Sequence, residues 1–302
     1  MPAVEPMRTR EAMNRRLAML ALTCAQFTAA AHAQDLVSME SISLAINSPF
    51  QRDARVVGEL RIPNSNRDRL PAVLIVNSSP GFDGRGAFYA AALNPGGIAT
   101  LEVDMFQGKG LPATPRHNLP HVYQALAFLA RHPRIDGNRI GIMGFSWGGN
   151  VTVLASFDEL AREYASGRLR FAAHLGLYPG CWKHYALLTD KPGKWKELKS
   201  TIYRRTTGSP VRILAAEKND YDDRYTCAMF VGALPAEVRR DFSVTVYPGA
   251  TFGWDSRFSS ASYDASAKDG KGGIVHVIAD PVIAEQSRES AVTYFKQHLG
   301  VY

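Results

Sequence analysis

The chain has 302 residues, of which 46% are hydrophobic and 21% charged, with a formal net charge of +7. That composition suits a globular protein with a sizeable core and excludes collagen-like, low-complexity and charge-driven disordered chains. The first 33 residues hold four arginines against two glutamates, leaving 31 basic against 26 acidic residues, or +5, downstream. No basic stripe interleaved with aromatics marks nucleic-acid binding.

The N-terminus reads as an export signal. Arg15-Arg16 precede an apolar stretch from Leu17 to about Ala31, and Ala31-His32-Ala33 has the small-x-small form of a cleavage site. Residues 1–33 are therefore expected to be a signal peptide, and residues 34–302 one domain in the periplasm or outside the cell. The apolar run contains Thr23, Gln26 and Thr28 and is shorter than the roughly 20 residues of a spanning helix, so no stable membrane insertion is expected once it is removed. Cys181 and Cys227 then remain, and an oxidising compartment permits a bond between them.

From residue 34 onward, short β-rich runs alternate with helical stretches, the pattern of a mostly parallel sheet covered on both faces. Ser38 to Ala45 and Arg55 to Ile62 alternate in polarity and read as an antiparallel opening hairpin. Ala72 to Val76 is a continuous apolar run, hence a buried strand, and Ala99 to Val103 is the next. A helix over about Leu119 to Ala130, ended by His132-Pro133, precedes a strand from Arg139 to Phe145 and a helix over about Gly148 to Ala155. Further strands are expected at Phe171 to Tyr178, Val211 to Ala216 and Phe242 to Tyr247, and a last helix at about Val282 to His298. A long loop separates Gly249 from Pro281. In such sheets functional groups collect beyond the C-terminal ends of the strands.

Gly144-x-Ser146-x-Gly148 follows one of these strands and opens a helix, the context of a nucleophile elbow. The turn is so tight that residues two positions either side of the serine must lack side chains. The serine then stands at a helix N-terminus, where the dipole favours developing negative charge. The backbone N–H of Trp147 is placed to serve as one oxyanion donor, and that of Ser79 or Ser78, in the turn after Val76, as the other. The structural alternative is a glycine-rich strand-to-helix turn and an ordinary Ser/Pro/Gly turn.

The chain resembles the dienelactone hydrolase family of the α/β-hydrolase superfamily, in its exported serine-nucleophile branch, over about residues 55 to 300. The resemblance rests on Asp83-Gly84-Arg85-Gly86, Leu101-Glu102-Val103-Asp104-Met105, Arg139 through Gly149 and Val246-Tyr247-Pro248-Gly249-Ala250. It implies an α/β-hydrolase fold with a mostly parallel sheet of about 8 strands. It further implies cleavage of a small-molecule carboxylic ester or lactone through an acyl-enzyme, a Ser-His-Asp triad, and neither cofactor nor metal.

Two positions depart from that pattern. The family spacing would put the acid on Asn219, so Asp220 is the candidate, with Asp222 second; the alternative is a solvated acidic loop. Where the family has histidine, after Tyr247-Pro248-Gly249-Ala250-Thr251, this chain has Phe252, which accepts no proton. His276, in the same long loop, is the candidate replacement base, with His184 and His117 on other loops behind it. His174 reads as a core residue, and His132 and His298 as helix-end cations. Loss of the base leaves a second expectation, a catalytically impaired homologue that binds a small ligand. Arg85 and Lys109 read either as solvated loop charges or as contacts to an anionic substrate. The resemblance also puts the strands before Cys181 and Cys227 side by side, so that a disulfide would pin the acid loop; two buried thiols are the alternative. Trp147, Tyr178, Trp182 and Trp254 are expected to crowd the mouth of the site.

Overall fold

The computed structural model of the protein describes residues 36–46, 55–106, 114–189 and 195–301. The signal-peptide reading and Lys109 lie outside the described residues. Ten strands and seven principal helices are described. In chain order they are β1 (Leu36–Ala45), β2 (Arg55–Pro63), β3 (Leu70–Val76), α1 (Arg85–Leu93), β4 (Ala99–Asp104), α2 (Pro115–Arg131), β5 (Ile135–Phe145), α3 (Trp147–Leu154), α4 (Asp158–Ala165), β6 (Ala173–Leu177), α5 (Cys181–Leu188), β7 (Val211–Lys218), α6 (Thr226–Ala233), β8 (Phe242–Thr251), β9 (Ser260–Asp264), β10 (Gly273–Val277) and α7 (Pro281–His298).

Eight strands form one sheet in the order β1-β2-β4-β3-β5-β6-β7-β8. The opening hairpin is antiparallel, as its alternation requires, and β2 joins β4 antiparallel; every later pairing is parallel. The central strands are buried on both faces. On β3, Leu70, Ala72, Leu74 and Val76 enter one core with α2, α3 and α4, while Val73 and Ile75 enter the other with α1 and α7. This period-two division is why the strand reads as an unbroken apolar run.

Helix α2 begins earlier than expected, at Pro115, whose fixed φ and missing N–H suit the first helical position. Helix α7 has Pro281 in that place and Asp280 as its cap, the carboxylate accepting from the N–H of Val282 at 3.1 Å and of Ile283 at 3.0 Å. The long loop after β8 is largely structured: β9 and β10 pair as an antiparallel ribbon apart from the main sheet. Polarity hides this ribbon in the sequence, because its side chains are mostly exposed.

Cys181 at the start of α5 and Cys227 in α6 form a disulfide, with their Cα atoms 5.0 Å apart. It closes a separation of 46 residues that contains all of β7. Replacing both cysteines by serine is expected to lower unfolding stability by about 4 kcal/mol in the loop-entropy description, read as a fall in the urea midpoint with a steeper slope, because the unfolded chain without the bond is less compact.

Candidate active site

Strand β5 ends at Phe145 and α3 begins at Trp147, so Ser146 alone makes the turn, with φ 53° and ψ −110°. A non-glycine residue held there costs about 1–3 kcal/mol, which its surroundings must impose. The Ser146 N–H donates to the Leu177 carbonyl at 3.0 Å, and the Ser146 carbonyl accepts from the Asn150 N–H at 3.0 Å and from Asn150 Nδ2 at 3.3 Å. The flanking glycines make the turn possible. A methyl on Gly144 would lie 2.3 Å from the Gly148 carbonyl oxygen, and one on Gly148 would lie 2.1 Å from that of Val76.

A cavity of about 250 Å³ opens above the elbow and is bordered by Ser146, Trp147, Ser79 and Phe252 together with Asn150, Lys183, Tyr221 and Asp264. Trp147 is anchored by its indole N–H, which donates to Asn118 Oδ1 at 2.8 Å, and its ring meets Trp195 edge-on. Phe252 follows β8 directly and packs edge-on against Tyr178 at 5.0 Å and Tyr221 at 4.6 Å. Asp264, from β9, accepts from the Tyr221 hydroxyl at 2.9 Å and from the Ser266 N–H at 2.6 Å. Burial pushes the Tyr221 hydroxyl above its ordinary range, so it stays a donor at neutral pH.

Asp220 and His276 also come together. Asp220 Oδ2 accepts from the His276 backbone N–H at 2.8 Å and lies 2.9 Å from His276 Nδ1. They border a second cavity of about 390 Å³, shared with Thr251, Ile278, Glu217 and Arg224. Tyr221 and Phe252 border the cavity above Ser146, whereas their chain neighbours Asp220 and Thr251 border the second. Among the described residues no imidazole is hydrogen-bonded to Ser146 Oγ.

Asp222 is buried instead of solvated. It accepts from the Trp182 N–H at 3.1 Å and from Asn219 Nδ2 at 2.6 Å. Burial pushes its carboxyl up to about 7, with Asp269 adding to the rise and the N–H groups of Trp182 and Cys181 opposing it. Asp222, Cys181 and Cys227 lie close enough to share a metal ion, but the two sulfurs are bonded to each other.

Several expectations are corrected. His184 lies inside α5, not on a loop. It is fully buried beside Tyr203, Trp195 and Phe230, and burial holds its imidazole down to about 3. His117 sits in the first turn of α2, its Nδ1 2.7 Å from Thr114 Oγ1. His174, by contrast, is the core residue of β6 that was expected, and burial depresses its imidazole to about 4. Arg85 is neither solvated nor aimed at substrate. It is buried, ion-paired with Asp83, donating to Tyr178 Oη at 2.8 Å and Ser78 Oγ at 2.5 Å, with Asp255 at 4.0 Å. Asp255 accepts from Tyr178 at 2.5 Å and Tyr89 at 2.9 Å. Tyr178 and Trp254 are therefore core side chains and do not crowd the mouth.

The residues missed in the sequence are Asn150, Lys183, Tyr221 and Asp264. Asn150 stands one helical turn after Ser146, a spacing that could have exposed it. Asp264 reaches the cavity only through the β9–β10 ribbon, which left no signal.

No protein-family model matches the chain, and no curated protein matches it in sequence. Solved structures do. A dienelactone hydrolase-like promiscuous phosphotriesterase from metagenomic libraries is 18% identical, with a TM-score of 0.60 over 86% of this chain and 99% of that one. Est1E from Butyrivibrio proteoclasticus is 14% identical, with a TM-score of 0.56 over 84% and 98%. Thermogutta terrifontis esterase 2 is 12% identical, with a TM-score of 0.62 over 86% and 95%. The chain has the α/β-hydrolase fold. Among the described residues no helix is long and apolar enough to cross a membrane.

Gly148→Ala is expected to destabilise the chain by about 3 kcal/mol or more, because backbone carbonyls cannot give way; thermal unfolding checks this. Asp222 makes stability depend on pH. Its folded carboxyl keeps its proton up to about pH 7, while the unfolded one ionises near its ordinary value. The folded state thus binds more protons between about pH 4 and pH 7, and stability falls as pH rises through that window. Asp222→Asn should flatten this slope in urea titrations at about pH 4.5, 6 and 8.

Proposed function

We propose that the protein is an exported hydrolase of carboxylic esters or lactones that works through an acyl-enzyme on Ser146. The single observation that carries the reading is the backbone of Ser146, held at φ 53° at the floor of the cavity by three hydrogen bonds. A strained residue kept in place by its surroundings is the usual mark of a working site. The N–H groups of Trp147 and Ser79 are assigned to the oxyanion, on which charge develops as Ser146 Oγ adds to the carbonyl carbon. Esterases and dienelactone hydrolase-like proteins with the same fold support the class of reaction.

The base is assigned to His276, oriented by Asp220. With Nδ1 held by a carboxylate, Nε2 is left to accept a proton, the arrangement a triad base needs. The pair borders the neighbouring cavity, and Phe252 fills the place beside the elbow. Direct transfer from Ser146 Oγ is therefore not made in this arrangement, and the hydroxyl proton is assigned to pass to His276 Nε2 through an intervening water. Turnover should be slow and confined to esters with good leaving groups. Phe252 also favours a second reading, a ligand-binding homologue that keeps the cavity without the chemistry.

Labelling with a fluorophosphonate and turnover of p-nitrophenyl acetate separate the two. The parent should label slowly, Ser146→Ala not at all, and His276→Ala more slowly than the parent. Phe252→His should gain on the order of a hundredfold in labelling rate, the contribution of a positioned general base. An unlabelled parent beside a strongly labelled Phe252→His would establish the ligand-binding reading. Parent turnover unaffected by His276→Ala would remove His276 from the mechanism.

A further inference from the structure

We propose that Cys181, Cys227 and Asp222 form a binding site for a thiophilic divalent cation such as Zn²⁺, opened when a dithiol reductant cleaves the Cys181–Cys227 disulfide. The site is separate from Ser146 and does not depend on the chemistry there.

The three side chains converge from separate elements. Cys181 opens α5, Cys227 lies in α6, and Asp222 lies in the loop after β7. The two sulfurs and a carboxylate oxygen lie within 4.8 Å of one another, and all three residues are buried. In a tetrahedral zinc site, bonds of about 2.3 Å to sulfur and 2.1 Å to oxygen put neighbouring ligand atoms roughly 3.5–3.8 Å apart. With the two Cα atoms 5.0 Å apart, side-chain rotation brings the sulfurs to that separation once the bond between them is gone. Two thiolates and one carboxylate suit Zn²⁺ better than Mg²⁺ or Ca²⁺, which prefer oxygen alone.

The carboxylate is already oriented as a ligand. Asn219 Nδ2 donates to Asp222 Oδ1 at 2.6 Å, and the Trp182 N–H donates to Oδ2 at 3.1 Å. Each oxygen keeps a lone pair for a metal, and bonds of this kind hold a ligating carboxylate in place. Cys181 is the first residue of α5, where the helix dipole favours the thiolate, the form that ligates. Asp222 also borders the cavity of about 390 Å³, which gives the ion a way in. Along that wall Glu217, Asp220 and Asp223 outnumber Lys218 and Arg224, so the approach favours a cation. The redox step balances. The dithiol gives two electrons and two protons, the S–S bond breaks, and the reductant becomes a disulfide. Metal binding then displaces the two thiol protons to solvent. Disulfide and metal are therefore mutually exclusive at this place.

The test titrates Co²⁺ into the full chain before and after reduction with dithiothreitol, which is removed under argon. Cys24, the third cysteine, is replaced by serine throughout. The reduced protein should bind one Co²⁺ per chain with a thiolate-to-cobalt charge-transfer band in the near ultraviolet, and Zn²⁺ should displace it and abolish the band. The oxidised protein should show no band. Asn219→Ala, which keeps all three ligands and frees only the carboxylate, should weaken Co²⁺ binding by about tenfold, and Asp222→Asn by more. Zn²⁺ should raise the Tm of the reduced protein and leave that of the oxidised protein unchanged. Absence of the band after reduction would overturn the proposal, as would equal affinity in the parent and both variants. Equal binding by the oxidised protein would overturn it too, and so would a reduced chain that unfolds and is not refolded by Zn²⁺. Asn219→Ala decides the matter if Asp222→Asn does not fold.

Discussion

The architecture depends on one close approach. Strand β5 must become helix α3 within a single residue, and it can do so only where α3 presses backbone to backbone on the end of β3. Gly148 meets the Val76 carbonyl there, and Gly149 lies against Leu177 of β6. Because no side chain intervenes, Ser146 is lifted clear of the sheet, and the turn after β3 is brought alongside it. The oxyanion turn, the elbow and the mouth of the cavity are thus consequences of one contact between the central strands.

A buried polar network sets the opposite wall. Arg85 ties the Ser78 hydroxyl to Tyr178, and Tyr178 and Tyr89 tie Asp255, three residues after Phe252, into the same core. Burial drives the Asp255 carboxyl up, while Arg85 and the two tyrosine hydroxyls pull it back. A charge this deep is tolerable only with all of these partners in place. The network explains why the Asp83-Gly84-Arg85-Gly86 stretch matters structurally: Gly86 packs so tightly on Glu102 that a methyl would lie 2.1 Å from its carboxyl. It also ties down the loop after β8 through Asp255, and that loop presents Phe252 to the cavity.

At the ends of β7 and β8 successive residues face opposite ways. Tyr221 and Phe252 turn toward Ser146, and Asp220 and Thr251 turn toward His276. With phenylalanine at the position that faces the nucleophile, the wall of the cavity is aromatic, and the ionisable pair is assembled one step away on the other side. The ribbon of β9 and β10 makes both arrangements at once, supplying Asp264 to the first cavity and His276 to the second.

The sequence by itself determined the parts that depend on local pattern. Continuous apolar runs marked the buried strands, alternation marked the opening hairpin, and glycines two residues either side of Ser146 marked the elbow, since no other residue fits between crossing backbones. The resemblance to the dienelactone hydrolases also exposed the missing histidine, because it puts one where this chain has Phe252. Only the tertiary structure decided the rest. Whether Arg85 meets solvent, substrate or a buried carboxylate depends on packing between α1 and the loop after β8, far apart in the chain. Which cavity Asp220 and His276 face depends on the register of β7 against β8 and on a polar ribbon without hydrophobic periodicity. The pairing of Cys181 with Cys227 likewise arises from a contact that no local pattern records.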